Sequence, residues 1–112
     1  MSREDYIEVS ERIQKFYERY PDGSLQGSWE WLDDSHTVIV YRAEAYRTPG
    51  DIRPGVGYAS EPYPGVTNFT RNSEIMNAET SSWGRCLASL GIAVHRGIAS
   101  AQEVRAAQRG TD

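Results

Sequence analysis

Apolar positions along this chain follow two periods, one near a helical turn and one of two residues, and their order sets the architecture. Between Arg3 and Tyr20, residues Tyr6, Val9, Ile13, Phe16 and Tyr20 recur along one face, with Tyr17 at its margin, which predicts an amphipathic helix. Its other side carries Glu4, Glu8, Glu11, Arg12, Lys15, Glu18 and Arg19, a mixed solvated face in which Glu8 and Arg12, and Glu11 and Lys15, are spaced for i, i+4 pairs. Pro21-Asp22-Gly23 ends the helix with turn chemistry. The two-residue period then takes over. From Ser24 to Leu32, Leu25, Gly27, Trp29 and Trp31 fall on one face and Gln26, Ser28 and Glu30 on the other. Asp33-Asp34-Ser35 makes a tight connection to His36–Arg47, the strongest strand pattern in the chain, where Ile39, Tyr41, Ala43 and Ala45 oppose Val38, Val40, Arg42, Glu44 and Tyr46. After the breaker-rich stretch from Thr48 to Gly55, a third strand fits Val56 to Ser60 and completes an antiparallel meander.

The helical period returns between Ser73 and Ile92. Ile75, Met76, Trp83, Leu87 and Leu90 form its apolar set, while Ala78, Ser81, Ser82, Gly84 and Ala88 keep much of the surface small enough to lie flat on a sheet. Asn72 and Ser73 offer short side chains to the orphan amides at its start, Glu74 suits the helix dipole, and Gly91 ends it. Gly84 costs about 1 kcal/mol relative to alanine inside a helix, so a close neighbour is expected there, most simply a strand. Glu61 to Asn72 reads as a loop whose Tyr63, Phe69 and Arg71 either pin it to the core or meet a ligand or subunit. Ser100-Ala101-Gln102-Glu103 has the spacing of a capping box and predicts a short C-terminal helix over residues 100–109. The expected fold is α+β: an N-terminal helix, a three-stranded antiparallel sheet in a β-meander, a long helix packed across the sheet, and a short C-terminal helix. It forms a single domain over 1–112, with a core of about 5–98.

Composition narrows what this domain can be. With 38% hydrophobic residues and a mean hydropathy of −0.63, its core is thin, and oligomerisation is one way to bury more. No apolar run approaches the roughly 20 residues of a membrane span, and MSREDY lacks a signal peptide's apolar stretch, so a cytoplasmic protein without membrane contact is expected. The lone Cys86, inside the long helix, is read as a buried thiol. The net charge of −4 is unevenly spread. Residues 1–34 hold nine acids and four bases (net −5), residues 35–97 five acids and six bases (net +1), and residues 98–112 two of each. The six middle bases are Arg42, Arg47, Arg53, Arg71, Arg85 and Arg96, and Lys15 is the only lysine. Arginine's planar fork suits phosphates and rings, whereas an acidic protein is a poor non-specific binder of duplex DNA.

Catalytic patterns are sparse, and a non-enzyme with no catalytic residues, no metal and no cofactor is expected. His36 and His95 stand in no metal-ligand spacing. Asp33-Asp34 reads first as turn chemistry; a hydrolase using the pair with a divalent ion is the outlying alternative. Gly55-Val56-Gly57 precedes a strand rather than a helix, and Ser81 and Ser82 lack a nucleophile-elbow pattern. What remains is a surface of arginines and rings. Arg42, Glu44 and Tyr46 share a strand face, and Arg47, Arg53, Tyr58, Tyr63, Phe69 and Arg71 lie in the third strand and the connections. That combination suits a single strand of nucleic acid, guanidinium groups meeting phosphates and rings accepting unstacked bases; the plainer alternative is surface arginines and core tyrosines of an ordinary α+β domain.

The element order, together with Tyr6-Ile7-Glu8, Val56-Gly57-Tyr58, Asn77-Ala78-Glu79-Thr80 and the run Trp83-Gly84-Arg85-Cys86-Leu87-Ala88-Ser89-Leu90-Gly91-Ile92, resembles the single-strand annealing protein superfamily that includes the phage ERF proteins and the eukaryotic recombination protein Rad-fifty-two. The run is similar to the ERF pattern in which a Glu-Thr pair opens a helix that passes through an arginine to Leu-Gly-Ile. The resemblance covers roughly residues 5–98. It implies homo-oligomeric rings or arcs that hold single-stranded DNA in a positive groove and pair complementary strands without ATP. The setting would be homologous recombination and repair in a phage-infected bacterial cell, with a phage exonuclease or host single-strand binding protein as further partners. Carried onto this chain, the groove would be lined by the hairpin, the loop before the long helix and that helix's exposed side, with Arg42, Arg47, Arg71 and Arg85 on phosphates and Tyr46 and Tyr58 stacking on bases. The alternative is a protein-interaction or strand-coating module of the same fold without annealing activity.

Overall fold

The computed structural model describes residues 8–94. Tyr6 and the expected first turns of the N-terminal helix, His95, Arg96, and the expected helix at 100–109 lie outside the described residues. Within them the order is α1 (Val9–Arg19), β1 (Ser24–Trp31), β2 (Val38–Tyr46), β3 (Gly55–Pro62) and α2 (Glu74–Ser89). The sheet is antiparallel in the order β1-β2-β3, as a meander requires.

Burial along β2 alternates strictly, as its period of two demands: Ile39, Tyr41, Ala43 and Ala45 are buried, and the residues between them are half-buried. The buried row faces α2. Ala43 and Ala45 in that row, and Gly57 beside Ala43 on β3, are small for a reason visible at Gly57, where a Cβ would fall 2.7 Å from Ser82 O and 2.8 Å from Cys86 Cα. The backbone of α2 therefore rests on β3, and only glycine fits between them. Ala78, Ser82 and Cys86, spaced one turn apart, form the buried stripe of the helix. Leu90, just past its end, sits over Gly55.

The large apolar residues of α2 behave differently from the expectation. Trp83 packs edge-on to Tyr41 at 5.9 Å, and Leu87 is buried, but Ile75 and Met76 are exposed. The small stripe takes the sheet contact and turns this first-turn pair away from the core. Ser73 also departs from its expected role: its hydroxyl makes no cap to α2 and bonds the carbonyls of Phe69 and Thr70 instead. The helix ends as anticipated. Gly91 takes φ +81°, Ile92 N–H donates to Leu87 O at 3.1 Å, and Ile92 is buried, the arrangement of a Schellman cap.

Helix α1 buries Val9 and Phe16, and Phe16 joins Tyr41, Ala43, Ala45 and Leu87 in the core. Arg12 corrects the reading of a purely solvated opposite face, since it is only 1% exposed. Its Nη1 donates to Gly84 O at 3.0 Å and its Nη2 to Ala93 O at 3.3 Å, so the guanidinium joins α1 to the far end of α2. Periodicity cannot distinguish such an arginine from a surface one, because the signal is the carbonyls it meets on a distant segment. The close neighbour anticipated at Gly84 thus includes a side chain of α1, while the contact with a strand lies at Ser82 and Cys86.

Candidate nucleic-acid interface

Because neighbouring side chains on a strand point to opposite faces, the residues between the buried ones on β2 form a second surface, on the side of the sheet away from α2. Arg42 lies at its centre. The register places Ser28 on one side of it and Tyr58 on the other, with Glu44 and Tyr46 further along β2. These side chains hold one another. Arg42 Nε donates to Glu44 Oε1 at 3.3 Å, Tyr46 Oη donates to Glu44 Oε2 at 2.7 Å, and Arg42 Nη1 bonds the Tyr58 hydroxyl. The guanidinium carbon also lies 5.4 Å from the centre of the Tyr58 ring, within cation–π range.

Each titration in this group shifts as those bonds dictate. The Tyr46 hydroxyl, and after it Arg42, hold the Glu44 carboxyl below its ordinary range. Glu44 in turn raises both Arg42 and Tyr46. The result is a pre-positioned guanidinium beside a ring that is 53% exposed, with a carboxylate as its resting partner. A phosphate arriving here would take the place of Glu44 on the arginine fork, and the Tyr58 ring could receive a base.

The other expected contacts are dispersed. Arg47, just beyond β2, is bound to Asp51 through Nε at 2.7 Å and Nη2 at 3.0 Å, and Nη2 also meets Arg53 O at 2.8 Å. Asp51 further accepts from the backbone N–H of Arg47 and of Arg53, and the Arg47 guanidinium above all holds its carboxyl far below its ordinary value. Arg47 thus braces the β2–β3 loop. Arg71 is exposed in the loop before α2, its Nε bonded to Gly65 O at 3.2 Å. Arg85 is exposed on α2, across the sheet from Arg42. Arg42, Tyr46 and Tyr58 therefore come together, and Arg71 and Arg85 do not join them. A groove shared by the hairpin's open face and the exposed side of α2 does not form within one copy, because α2 occupies the opposite side of the sheet.

A second feature was not anticipated. At the end of the sheet where β2 begins, Trp29, Trp31, Ile39, Tyr63, Ile75 and Met76 line an open cleft of about 400 Å³ that extends to Asn72, Ser73 and Glu74. Trp31 is sandwiched there: His36 stacks on it at 4.6 Å, and Trp29 and Tyr63 meet it edge-on at 5.4 and 5.3 Å. The cleft exists because α2 lies over β2 and β3 and leaves the Trp29–Trp31 end of β1 bare. Two tryptophans on one face of an edge strand were the available signal, but their alternation reads equally well as core. Asp33 and Asp34 flank this end. The Asp33 carboxylate accepts from Thr37 N–H at 2.9 Å, from Val38 N–H at 3.1 Å and from the Thr37 hydroxyl, which is turn chemistry. Among the described residues no group of three or more His, Cys, Asp or Glu is arranged to hold a metal ion, and no helix is long and apolar enough to cross a membrane.

No protein-family model, curated protein or solved structure matches this chain.

Proposed function

We propose that this protein binds single-stranded DNA on the open face of its sheet and promotes pairing of complementary strands without ATP, in the cytoplasm. The observation that carries this reading is Arg42, held at the centre of that face against the Tyr58 ring and beside Tyr46. A cation next to exposed rings offers phosphate contact and base stacking without sequence preference. The annealing step rests on the wording of the Trp83–Ile92 run and on nothing in the geometry of Arg42. A face with one central arginine, neutralised at rest by Glu44, holds a strand weakly. Useful affinity then comes from many copies along one strand, where each engaged face raises the effective concentration of the next.

The test is fluorescence anisotropy with a labelled single-stranded oligonucleotide at several salt concentrations. Arg42→Ala is expected to weaken binding by roughly tenfold and to flatten the salt dependence, since phosphate contacts release counterions on single strands. Wild-type binding that ignores salt, or an Arg42→Ala variant that binds like the wild type, would remove this reading. A protein-interaction module is the second reading, favoured by the exposed apolar cleft at the other side of the sheet.

A further inference from the structure

Glu74 opens α2 and is only 6% exposed, a buried acid on the wall of the aromatic cleft. Burying an anion is costly unless a cation or hydrogen bonds compensate it. Here the compensation comes from the backbone. Its Oε2 accepts the Gly65 N–H at 2.8 Å, and that bond first, followed by amides at Glu74 and Asn72, holds the carboxyl below its ordinary range. Arg71, the nearest base along the chain, gives its Nε to Gly65 O at 3.2 Å instead. Among the described residues no side-chain cation forms an ion pair with Glu74. The cleft thus contains an ionised carboxylate with no counter-charge.

The rings around it supply the other half of a cation site. Trp31 meets Trp29 at an interplanar angle of 83° and Tyr63 at 72°, with centroids 5.4 and 5.3 Å apart. Rings that meet near a right angle enclose corners bounded by their faces, where the negative side of the quadrupole lies. Trp29 and Tyr63 are 43% and 46% exposed, so ring surface is left for an occupant. The surrounding segments carry Asp33, Asp34, Glu61 and Glu74 against Arg71, four acids and one base, net −3, which repels a phosphate and attracts a cation.

The hydrogen-bonding inventory selects among cations. A primary ammonium brings three N–H donors and a guanidinium five, and each donor needs an acceptor once water is excluded. The cleft offers ring faces, the Met76 thioether, alkyl groups and a carboxylate that already receives amides. The Ser73 hydroxyl is likewise engaged, by the carbonyls of Phe69 and Thr70. An alkylated ammonium has no donor to satisfy. Ring faces and a carboxylate at a distance suffice to hold it.

We infer that the Trp29/Trp31/Tyr63/Met76 cleft is a binding site for a small quaternary ammonium compound, caged by the rings and neutralised by Glu74. Its volume of about 400 Å³, near the low end of ligand sites, admits a trimethylammonium group carrying a short chain. Trp29 and Trp31 pair with Tyr41 and Ile39 on the face toward α2, whereas Arg42 points to the open face. The site is therefore separate from the proposed strand-binding surface and does not depend on it.

The experiment is a titration with choline at constant ionic strength, followed by NMR of the three tryptophan indole N–H groups. The controls are ethanolamine, a primary ammonium, and choline's neutral isostere, in which a tert-butyl group replaces trimethylammonium. Choline is expected to shift Trp29 and Trp31 saturably while Trp83 stays still, and to bind roughly tenfold more tightly than either control. Glu74→Gln, which removes the charge, and Tyr63→Leu, which replaces a ring by alkyl surface, should each weaken choline several-fold and leave the neutral isostere unchanged. Circular dichroism checks that both variants fold. No shift at Trp29 and Trp31, or choline no tighter than its neutral isostere, would overturn the proposal. Ethanolamine binding as tightly as choline would do the same, as would an oligonucleotide that displaces choline and so gives the cleft to bases. Arg42→Ala should leave the choline titration untouched, so this site and the strand-binding reading fail separately.

Discussion

The two faces of this sheet are built from the same strands and obey opposite rules. On the face toward α2, Gly55, Gly57, Ala43 and Ala45 lie beside the larger Ile39 and Tyr41, and the value of these four lies in what they lack, since each missing carbon lets the helix backbone come closer. On the open face the residues are Arg42, Glu44, Tyr46 and Tyr58, large and mutually hydrogen-bonded, with nothing from α2 above them. The covered face is determined by volume and tolerates almost no addition. The open face is determined by chemistry, and its shape leaves room for change. Packing alone accounts for the first face. It gives no reason for the second, where a cation, an acid and two rings occupy positions that threonine or valine would fill equally well in a strand.

The most severe way to break this contrast is Gly57→Val. Its side chain would meet helix backbone at Ser82 and Cys86, which no rotamer can relieve, so a loss of about 3 kcal/mol or more is expected in chemical denaturation. Ser28→Val, beside Arg42 on the open face, should change stability by no more than about 0.5 kcal/mol. Similar losses at both positions would mean that the open face is itself packed against something.

Arg12→Met comes next in size. The methionine keeps much of the apolar stem but removes the donors to Gly84 O and Ala93 O, and a loss of about 2 kcal/mol is expected from the same measurement. A variant as stable as wild type would show that packing alone holds α1 on α2.

How legible these features were in the sequence follows from the physics of each. The meander, its register of buried and open positions, and the extent of α2 were readable because alternation and helical period report directly on which face meets a core. The β2 row from Val38 to Tyr46 is the clearest case. Arg12 was misread because burial of a charge depends on carbonyls brought in by the end of a distant helix. Ile75 and Met76 were misread for a related reason: a helix has an apolar side in any sequence, but how far the sheet extends beneath it is a tertiary fact. Of the candidate site, Arg42 and Tyr46 could be grouped because alternation along one strand suffices, whereas Tyr58, expected on the third strand, is brought beside Arg42 by the β2–β3 register. Arg47, Arg71 and Arg85 could not, since their positions depend on a loop's internal bonds and on which side of the sheet α2 lies.

A smaller effect on the covered face is a matter of pH. Burial first, and then Glu44, push the Cys86 thiol from its ordinary 9.0 up to about 11. The folded chain therefore retains this proton after the unfolded chain has released it. The contribution is complete below pH about 9 and lost as pH rises toward about 11, so stability should fall across that window. In Cys86→Ala this part of the decline should vanish, leaving only that of the other groups. Denaturation midpoints of the two proteins at a series of pH values give the difference, and parallel curves would place the thiol in contact with water.

The smallest expected change in stability carries the sharpest test of the open face. Tyr58→Phe removes only the hydroxyl that receives Arg42 Nη1 and keeps the ring beside the guanidinium. Stability should shift by no more than about 0.5 kcal/mol, because the position is exposed. If the ring serves to stack on a base, strand binding should persist in Tyr58→Phe and drop by roughly tenfold in Tyr58→Ala, since stacking contributes about 1 to 3 kcal/mol per base. If the hydroxyl serves only to hold Arg42 in place, both variants should lose affinity alike. If both variants fold and bind as wild type does, Tyr58 is a neighbour of the site with no part in it, and Arg42 must act with Tyr46 alone.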